Sequence, residues 1–224
     1  MNATTKTPDF AFHRTAPWWY QQMKKQTKKA APKQSSTPKA NTLESITGAD
    51  ALAILEVLAA RNEKLAQEID AVAKELFRHV EIDEVAANVQ MELESLDVED
   101  IWDRSGAKRD GYVDPGEAAL EMFEEALKPF QDEVDKYKQL SMLQEAELAC
   151  QGILKGIYDF HKESSTEYKQ WAVDAPSDYF GAVLDDWKKL FATRPPFPRM
   201  IAFLQTHCTE WAEWATKSLR SRRP

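Results

Sequence analysis

The sequence predicts an all-α protein in which helical hairpins stack as an irregular α-solenoid or a bundle. Only seven of the 224 residues are glycine, and long runs rich in Ala, Leu, Glu and Lys favour helix. In several successive segments, apolar residues are spaced three and four apart, which places them on one face of a helix. No stretch alternates convincingly between apolar and polar residues, so we expect no strands. No strict repeat length is visible, and the pattern therefore predicts a geometry without naming a repeat class.

Residues 1–42 differ in charge from the rest of the chain. They hold eight Lys or Arg against one acid, a net charge of about +7, whereas residues 43–224 keep 21 of the 29 basic and 36 of the 37 acidic side chains and carry −15. From 24 to 41 the composition is dominated by Lys, Ala, Pro, Gln, Ser and Thr, which cannot offset the entropy of ordering. We expect a disordered basic tail, followed by an acidic helical domain in which 43–161 and 162–224 are two candidate lobes.

The helical domain opens with two predicted helices. Thr47 can accept a hydrogen bond from the amide of Asp50, and an acid in the first turn suits the positive end of a helix. That helix continues to about Arg61, and Asn62 can cap the next. We expect both helices to bury an apolar stripe and to pair as a hairpin. The stripe residues are Leu52, Leu55 and Leu58 or Ala59 in the first helix, and Leu65, Ile69, Val72, Leu76 and Phe77 in the second.

Three further helix starts are marked by acidic caps. Asp83 opens a helix that ends near residue 96, and Asp97 opens a short one that contains Trp102. The sequence Asp-Pro-Gly-Glu at 114–117 combines a capping Asp, Pro at the first helical position and Glu at the third, and it is the clearest start signal in the chain. Pro129 removes an amide hydrogen and clashes with the preceding turn, so we expect a kink or a break just before it.

The next predicted helix runs from about residue 141 to residue 160 and contains two glycines one turn apart, Gly152 and Gly156. Each glycine costs roughly 1 kcal/mol in a helix relative to Ala. Two glycines kept at this spacing indicate a close approach by another helix. We therefore expect a tight helix crossing at this pair.

Three predicted helices complete the chain. A short one bears Tyr168 and Trp171, and a longer one spans 177–191, where two prolines end it. The last begins near Pro198 and keeps a three- and four-residue spacing to its end, which predicts one continuous helix packed closely against an antiparallel neighbour. Its seam residues are Ile201, Leu204, Cys208, Trp211, Ala215 and Ser218.

Three motifs in the middle of the chain occur in a recognisable order: Asp-Ile-Trp-Asp-Arg-Ser-Gly at 100–106, Arg-Asp-Gly-Tyr-Val-Asp-Pro-Gly-Glu-Ala-Ala at 109–119, and Glu-Glu-Ala-Leu-Lys-Pro-Phe at 124–130. With these motifs, residues 43–160 resemble uncharacterised bacterial helical-repeat proteins of tetratricopeptide-like (TPR-like) type. The resemblance implies a scaffold or partner-binding role and supplies no catalytic residues. The tail and the segment after His161 fall outside it.

Two sets of aromatic residues are candidates for partner binding. In the tail, bulky rings stand directly beside a basic cluster, and such a combination can enter an acidic protein groove, stack on bases or lie at a membrane interface. Near the carboxyl terminus, two tryptophans three residues apart cover a wide helix face, so at least one should reach the surface. We expect the other tryptophans of the helical domain, such as Trp102 and Trp171, to pack in the core. The candidate residues are Trp18, Trp19, Tyr20, Lys24, Lys25, Lys28, Lys29, Trp211 and Trp214.

Residue types that would indicate catalysis or metal binding are scattered. The four histidines form no His-x-x-x-His pair, the two cysteines form no Cys-x-x-Cys pair, and no Gly-rich phosphate loop or nucleophile elbow is present. We expect no catalytic residues, no metal site and no cofactor. Two cysteines inside helical patterns are typical of a reduced, cytoplasmic protein, and no apolar run is long enough to span a membrane.

These observations favour a non-enzymatic helical adaptor or scaffold that binds a protein partner through its helical body and its aromatic, lysine-rich tail. The linker would set the effective concentration of the second, tethered contact. The competing hypothesis is an accessory nucleic-acid-binding factor, in which the tail neutralises phosphates and its tryptophans stack on bases.

Overall fold

The computed structural model describes residues 46–109, 111–191 and 197–221. These residues form nine α-helices, one 3-10 helix and one pair of short strands, so the all-α prediction is confirmed. The helices are α1 (Gly48–Arg61), α2 (Glu63–Phe77), α3 (Ile82–Glu94), α4 (Val98–Arg104), α5 (Pro115–Gln139), α6 (Leu143–Glu163), α7 (Ala175–Leu190), α8 (Pro198–His207) and α9 (Ala212–Arg220). The strands are β1 (Gly106–Lys108) and β2 (Gly111–Val113), and the 3-10 helix is Glu167–Gln170. Within the described ranges, no helix combines the length and the apolarity that crossing a bilayer requires.

The chain divides into two compact units, with the boundary inside α2 between Ile69 and Asp70. In the first unit the described structure is α1 and the beginning of α2. The expected hairpin between these helices does not form, because a single non-helical residue, Asn62, joins them (φ −147°, ψ 108°). Helices that pack antiparallel need a link of about two to eight residues. Among the described residues, α1 and α2 are not a packed pair, and neither has a buried side chain.

The second unit is built around α6, which packs against α3, α5, α7 and α8. Eleven of its 21 residues are buried, so it is covered on most sides. The amphipathic helices α3, α5 and α7 each turn one apolar face towards it. At the edge of this unit, the ring of Phe77 at the end of α2 lies 4.0 Å from the ammonium of Lys136.

The crossing of α6 with α3 confirms the prediction made from the two glycines. A Cβ placed on Gly152 would lie 2.5 Å from Cβ of Val85. A Cβ placed on Gly156 would lie 2.6 Å from both the carbonyl oxygen of Ala86 and Cβ of Val89. Real Cβ atoms are essentially never this close to a neighbour. Only glycine therefore lets the two helix backbones approach to this distance.

A small hairpin corrects the prediction that the chain has no strands. Strands β1 and β2 pair antiparallel with Gly106 opposite Val113 and Lys108 opposite Gly111. Both glycines have positive φ, +87° at Gly106 and +143° at Gly111, a conformation that other residues seldom adopt. With three residues in each strand, the hairpin is too short to produce the alternating pattern by which strands are predicted.

Helix α5 runs without a break from Pro115 to Gln139 through Pro129, so the alternative of a break at that proline is wrong. An internal proline costs a helix about 3 kcal/mol. Leu127 and Phe130 are both buried, on either side of the proline. Burial of two large apolar side chains is worth about as much as the proline costs, so packing keeps the helix continuous.

The carboxyl-terminal seam is divided between two helices, although one continuous helix was expected. The backbone leaves helical geometry at Cys208 (φ −126°, ψ 51°). Tyr158 of α6 holds the turn that follows: its hydroxyl lies 3.2 Å from the amide nitrogen of Glu210 and 3.2 Å from Oγ1 of Thr209. The buried tyrosine therefore accepts from an amide that a continuous helix would have bonded to a carbonyl of its preceding turn.

Candidate protein-docking surface

Helices α1 and α2 both begin at well-formed caps. At the start of α1, the amide of Asp50 donates to the Thr47 hydroxyl (3.2 Å), and the amide and hydroxyl of Thr47 donate to the Asp50 carboxylate (2.9 and 2.7 Å). These hydrogen bonds lower the pKa of Asp50, and the bond from the Thr47 hydroxyl makes the largest contribution. At the start of α2, the Asn62 side-chain oxygen accepts from the amides of Lys64 (3.0 Å) and Leu65 (3.4 Å). Local sequence thus fixes where both helices start.

The apolar side chains of these two helices are exposed, whereas the sequence pattern predicted that they would be buried. Helix α1 is apolar on nearly every side and has only three charged residues in 14. The name α1–α2 apolar surface stands for the exposed large apolar side chains of these two helices, each helix taken by itself. They are Leu52, Ile54, Leu55, Val57 and Leu58 in α1, and Val72 and Leu76 in α2. Their exposed fractions range from 38% to 59%. Of the other residues expected to be buried, Leu65, Ile69 and Phe77 are only half-buried.

This surface is large enough to contribute to binding a partner. Fully burying a Leu, Ile or Val side chain is worth about 1.5–3 kcal/mol, so covering seven roughly half-exposed ones would recover about 7 kcal/mol. Association costs an estimated 4–15 kcal/mol in lost freedom of motion. If the partner buries a similar apolar area of its own, the free energy gained by burial on both sides exceeds most of that range of cost.

Helices of this length also depend on packing for their stability. Isolated helices shorter than about 12–15 residues are marginal in water, and α1 and α2 have 14 and 15 residues. Their own ion pairs add little: Lys74 and Asp70, one turn apart on α2, are 2.9 Å from each other and both are exposed. A helix that is apolar all round is normally buried, which α1 is not. These properties are typical of helices that are covered by another chain.

The two carboxyl-terminal candidates, Trp211 and Trp214, lie in an aromatic cluster between α6, α7 and α9. The ring centroid of Trp211 is 4.6 Å from that of His161, 4.9 Å from that of Phe180 and 5.4 Å from that of Tyr158. Trp211 is buried, with 8% of its surface exposed, whereas Trp214 is 38% exposed. Trp214 is therefore the member of the pair whose ring is available for contact, and the role of both in binding stays a prediction.

Trp102 was expected in the core but is 52% exposed. Its ring lies edge-on to that of Trp171, with centroids 4.7 Å apart. Helix α4 has only seven residues, and it buries Ile101, the neighbour of Trp102. Neighbouring residues on a helix point in different directions, so a helix this short that buries Ile101 leaves the side chain of Trp102 facing away from the core. Trp102, packed against the half-buried Trp171, is an exposed aromatic residue that the sequence did not indicate.

Charged groups near the small hairpin are paired within the chain. Arg104 lies 2.7 Å from the carboxylate of Glu125, and Lys108 donates to the carbonyl oxygen of Asp103 over 2.8 Å. The first contact is an ion pair and the second is a hydrogen bond to the backbone, so both cations have partners within the chain. They are exposed and contribute little to stability.

Features that could support chemistry are few in the described part of the chain. No group of three or more His, Cys, Asp or Glu side chains there is placed to hold a metal ion. Both cysteines are free and buried, and burial raises the pKa of each thiol to about 12. A cavity of about 260 Å³ lies between the end of α7 and the start of α8. Its lining is mainly aromatic and aliphatic, with Glu147 and Arg199 as the charged members.

The tail candidates, from Trp18 to Lys29, lie outside the described residues. Their predicted role in partner binding therefore stays a prediction. The α1–α2 apolar surface was missed because its residues were assigned to the core. One signal could have identified it: a helix with apolar residues on every side needs more covering than a single neighbouring helix can provide.

Comparisons of the chain with protein-family models, curated proteins and solved structures give no match.

Proposed function

We propose that this chain is a non-enzymatic helical adaptor or scaffold that binds a protein partner through its helical body and through its Trp-Trp-Tyr and lysine tail. The observation that carries the proposal is the α1–α2 apolar surface: two capped helices without one buried side chain. Single exposed apolar side chains are normal on a protein surface, but five on one helix of 14 residues are not, and such concentrations of exposed apolar side chains mark interaction sites. The exposed Trp214 is a further candidate anchor, since tryptophan is enriched among residues that dominate binding energy.

The tail supplies the second contact in this proposal. Its aromatic residues and lysines lie 19 to 30 positions before the first residue of α1, so one partner can engage both elements at once. Positive charge on the tail and negative charge on the body speed encounter with partners of mixed charge, while the apolar residues provide affinity. The TPR-like resemblance of residues 43–160 and a cytoplasmic location belong to the same proposal, and two free thiols fit a reducing compartment.

Affinity capture from the native lysate tests this function. Four baits are compared: the full chain, Leu58→Asp, Ala60→Asp and a chain that starts at Leu43. Leu58 belongs to the α1–α2 apolar surface, and Ala60 is an exposed small residue of the same helix that serves as the matched control. We expect Leu58→Asp to lose specific partners, Ala60→Asp to retain them and the shortened chain to bind them more weakly. Identical partners at equal yield from the full chain and Leu58→Asp would refute the role of α1.

The charge division of the chain favours a second candidate function, accessory nucleic-acid binding by the tail. A tail of about +7 with adjacent aromatic rings can neutralise phosphates and stack on bases. This function predicts binding that falls steeply with salt and is lost without residues 1–42. A gel-shift titration with single-stranded DNA and RNA at low salt tests it, and the absence of any complex would eliminate it.

A further inference from the structure

We propose that the cavity between the end of α7 and the start of α8 is a binding site for a free α-amino acid with a single-ring aromatic side chain. All the residues that line this cavity belong to the second unit, and they come from α6, α7, α8 and the residues at the adjoining ends of α7 and α8. The α1–α2 apolar surface contributes none of them. The inference therefore does not depend on the proposed adaptor function.

Three aromatic rings form much of the cavity wall. The ring centroid of Trp187 lies 5.0 Å from that of Phe191 and 5.2 Å from that of Phe197, and all three side chains are buried. The cavity has a volume of about 260 Å³. An apolar cavity of about 150 Å³ is large enough for benzene, and sites for drug-sized ligands begin at about 300 Å³. The space therefore suits one aromatic ring that carries a short polar group.

A buried hydrogen-bond donor in the wall lacks a partner. The indole Nε1 of Trp187 has no hydrogen-bond partner among the described residues. A buried tryptophan N–H usually finds an acceptor, and leaving it without one costs free energy. Because Trp187 lines the cavity, a ligand that brings an acceptor oxygen can supply what the chain does not.

The start of α8 adds a positive charge to the lining. Pro198 opens this helix, no side chain caps it and its first turn contains no acid. The first amides of a helix have no acceptor inside the helix, so this end attracts an anion. Arg199, in the same turn, is exposed and has no ion pair within the described ranges. A carboxylate placed here would meet the guanidinium and the positive end of the helix together.

A carboxylate on α6 provides the opposite charge. Glu147 is half-buried and is the other charged residue of the lining. Among the residues that the structure describes, Glu147 and Arg199 form no ion pair with each other or with a third group. An α-amino acid carries both matching charges on one carbon, so its ammonium can pair with Glu147 and its carboxylate with Arg199. An anion without an ammonium would leave Glu147 unpaired beside it.

The backbone is strained where the cavity wall meets α8. Phe197 adopts the left-handed conformation, with φ 58° and ψ 46°, although it is not glycine. Such conformations are uncommon for large side chains, and they cluster at ligand-binding and active sites. Here the strained residue carries a ring of the wall and directly precedes the turn that bears Arg199. The strain therefore lies at the point where the apolar and the charged parts of the proposed site join.

Isothermal titration calorimetry of L-phenylalanine into the full chain tests the proposal. We expect one saturable site per chain. Three probes each lack one part of the ligand: 3-phenylpropionate has no ammonium, 2-phenylethylamine has no carboxylate and glycine has no ring. Each should bind at least about tenfold more weakly, because a charge-assisted hydrogen bond or the buried ring is lost.

Two charge-removing variants assign the contacts. Arg199→Gln should weaken phenylalanine at least about tenfold and leave 2-phenylethylamine unchanged, whereas Glu147→Gln should weaken both and leave 3-phenylpropionate unchanged. Arg220→Gln and Glu92→Gln remove exposed charges outside the lining and should change affinity by less than about threefold. Both pairs of positions lie at least partly on the surface, and thermal unfolding checks that every variant stays folded.

Three results would overturn the inference. The first is the absence of saturable binding up to about 10 mM phenylalanine. The second is 3-phenylpropionate binding as tightly as phenylalanine, since the ammonium would then not be recognised. The third is binding that Arg199→Gln and Glu147→Gln leave intact, or that the two controls weaken as much, since the ligand would then not occupy this cavity. None of these results bears on the capture experiment that tests the adaptor function.

Discussion

Replacing Gly156 by alanine tests the helix crossing at the centre of the second unit. The new Cβ would lie 2.6 Å from the carbonyl oxygen of Ala86 and 2.6 Å from Cβ of Val89. The first of these atoms belongs to the backbone of α3, and the second is fixed to it, so no rotamer change relieves the overlap. The two helices must move apart, and the contacts on both sides of the crossing loosen with them.

The size of the effect follows from two opposing terms. Overpacking a well-packed core costs typically about 1–3 kcal/mol. Alanine is favoured over glycine in a helix by about 1 kcal/mol, which offsets part of that cost. Because the clash involves backbone, we expect the upper part of the range and a net loss of about 1–2 kcal/mol. For a chain of this size, that loss corresponds to a fall of about 2–8 °C in the thermal midpoint.

Gly181→Ala is the matched control, because Gly181 lies inside α7 and a Cβ there would overlap no neighbouring atom. The nearest atom, Cη2 of Trp214, would be 3.9 Å from the new methyl group, which is an ordinary contact. The same substitution should therefore stabilise here, by up to about 1 kcal/mol. Thermal unfolding followed by circular dichroism at 222 nm compares both variants with the parent chain. If Gly156→Ala is as stable as Gly181→Ala, the close crossing of α3 and α6 is refuted.

Three further predictions concern buried groups. Cys150 and Cys208 should resist a thiol reagent at pH 8 until the chain is denatured, because burial raises both pKa values to about 12, and rapid labelling of the native chain would contradict this. Burial, reinforced by Lys169, lowers the pKa of His161 below 6.5, so the unfolded chain takes up the proton first as pH falls and stability declines from pH 6.5 down through the lowered pKa. In the His161→Gln variant the thermal midpoint should depend less on pH over that window than it does in the parent chain. An unchanged pH profile would show that His161 does not cause the decline. The buried Tyr168 hydroxyl donates to the carbonyl of Ala119, so Tyr168→Phe should lower the free energy of unfolding in urea by about 1 kcal/mol. An unchanged urea midpoint would show that this hydrogen bond does not stabilise the fold.

Local signals in the sequence were sufficient for several elements. The Asp-Pro-Gly-Glu start of α5 is present, with the Asp114 side chain accepting from the amide of Gly116 over 2.8 Å. The glycine pair in α6 marked the crossing because a helix tolerates such a cost only for a packing reason. Caps and glycines act within a few residues, so their effect can be inferred without knowing the rest of the fold.

Other elements depend on tertiary contacts that no local pattern contains. The seam from Pro198 onward is interrupted at Cys208, and the hydroxyl of Tyr158, some 50 residues earlier in the chain, accepts from the amide of Glu210 in the turn that follows. The continuity of α5 at Pro129 likewise depends on which neighbours cover the helix. Apolar spacing in α1 predicted a buried face, and the structure leaves that face exposed, because spacing alone cannot say whether the same chain supplies the cover. The same limitation applies to Trp102, whose exposure is set by the length of α4.

Amide hydrogen exchange of the full chain, followed by mass spectrometry, tests most directly the claim that α1 and α2 lack cover within their own chain. In dilute solution, residues 50–77 should exchange close to the rate of unprotected amides, while the buried residues of α6 should be protected by several orders of magnitude. Protection of residues 50–77 should rise when a captured partner is added. Protection equal to that of α6 at the lowest concentration would contradict the account, because the chain would then cover these helices itself.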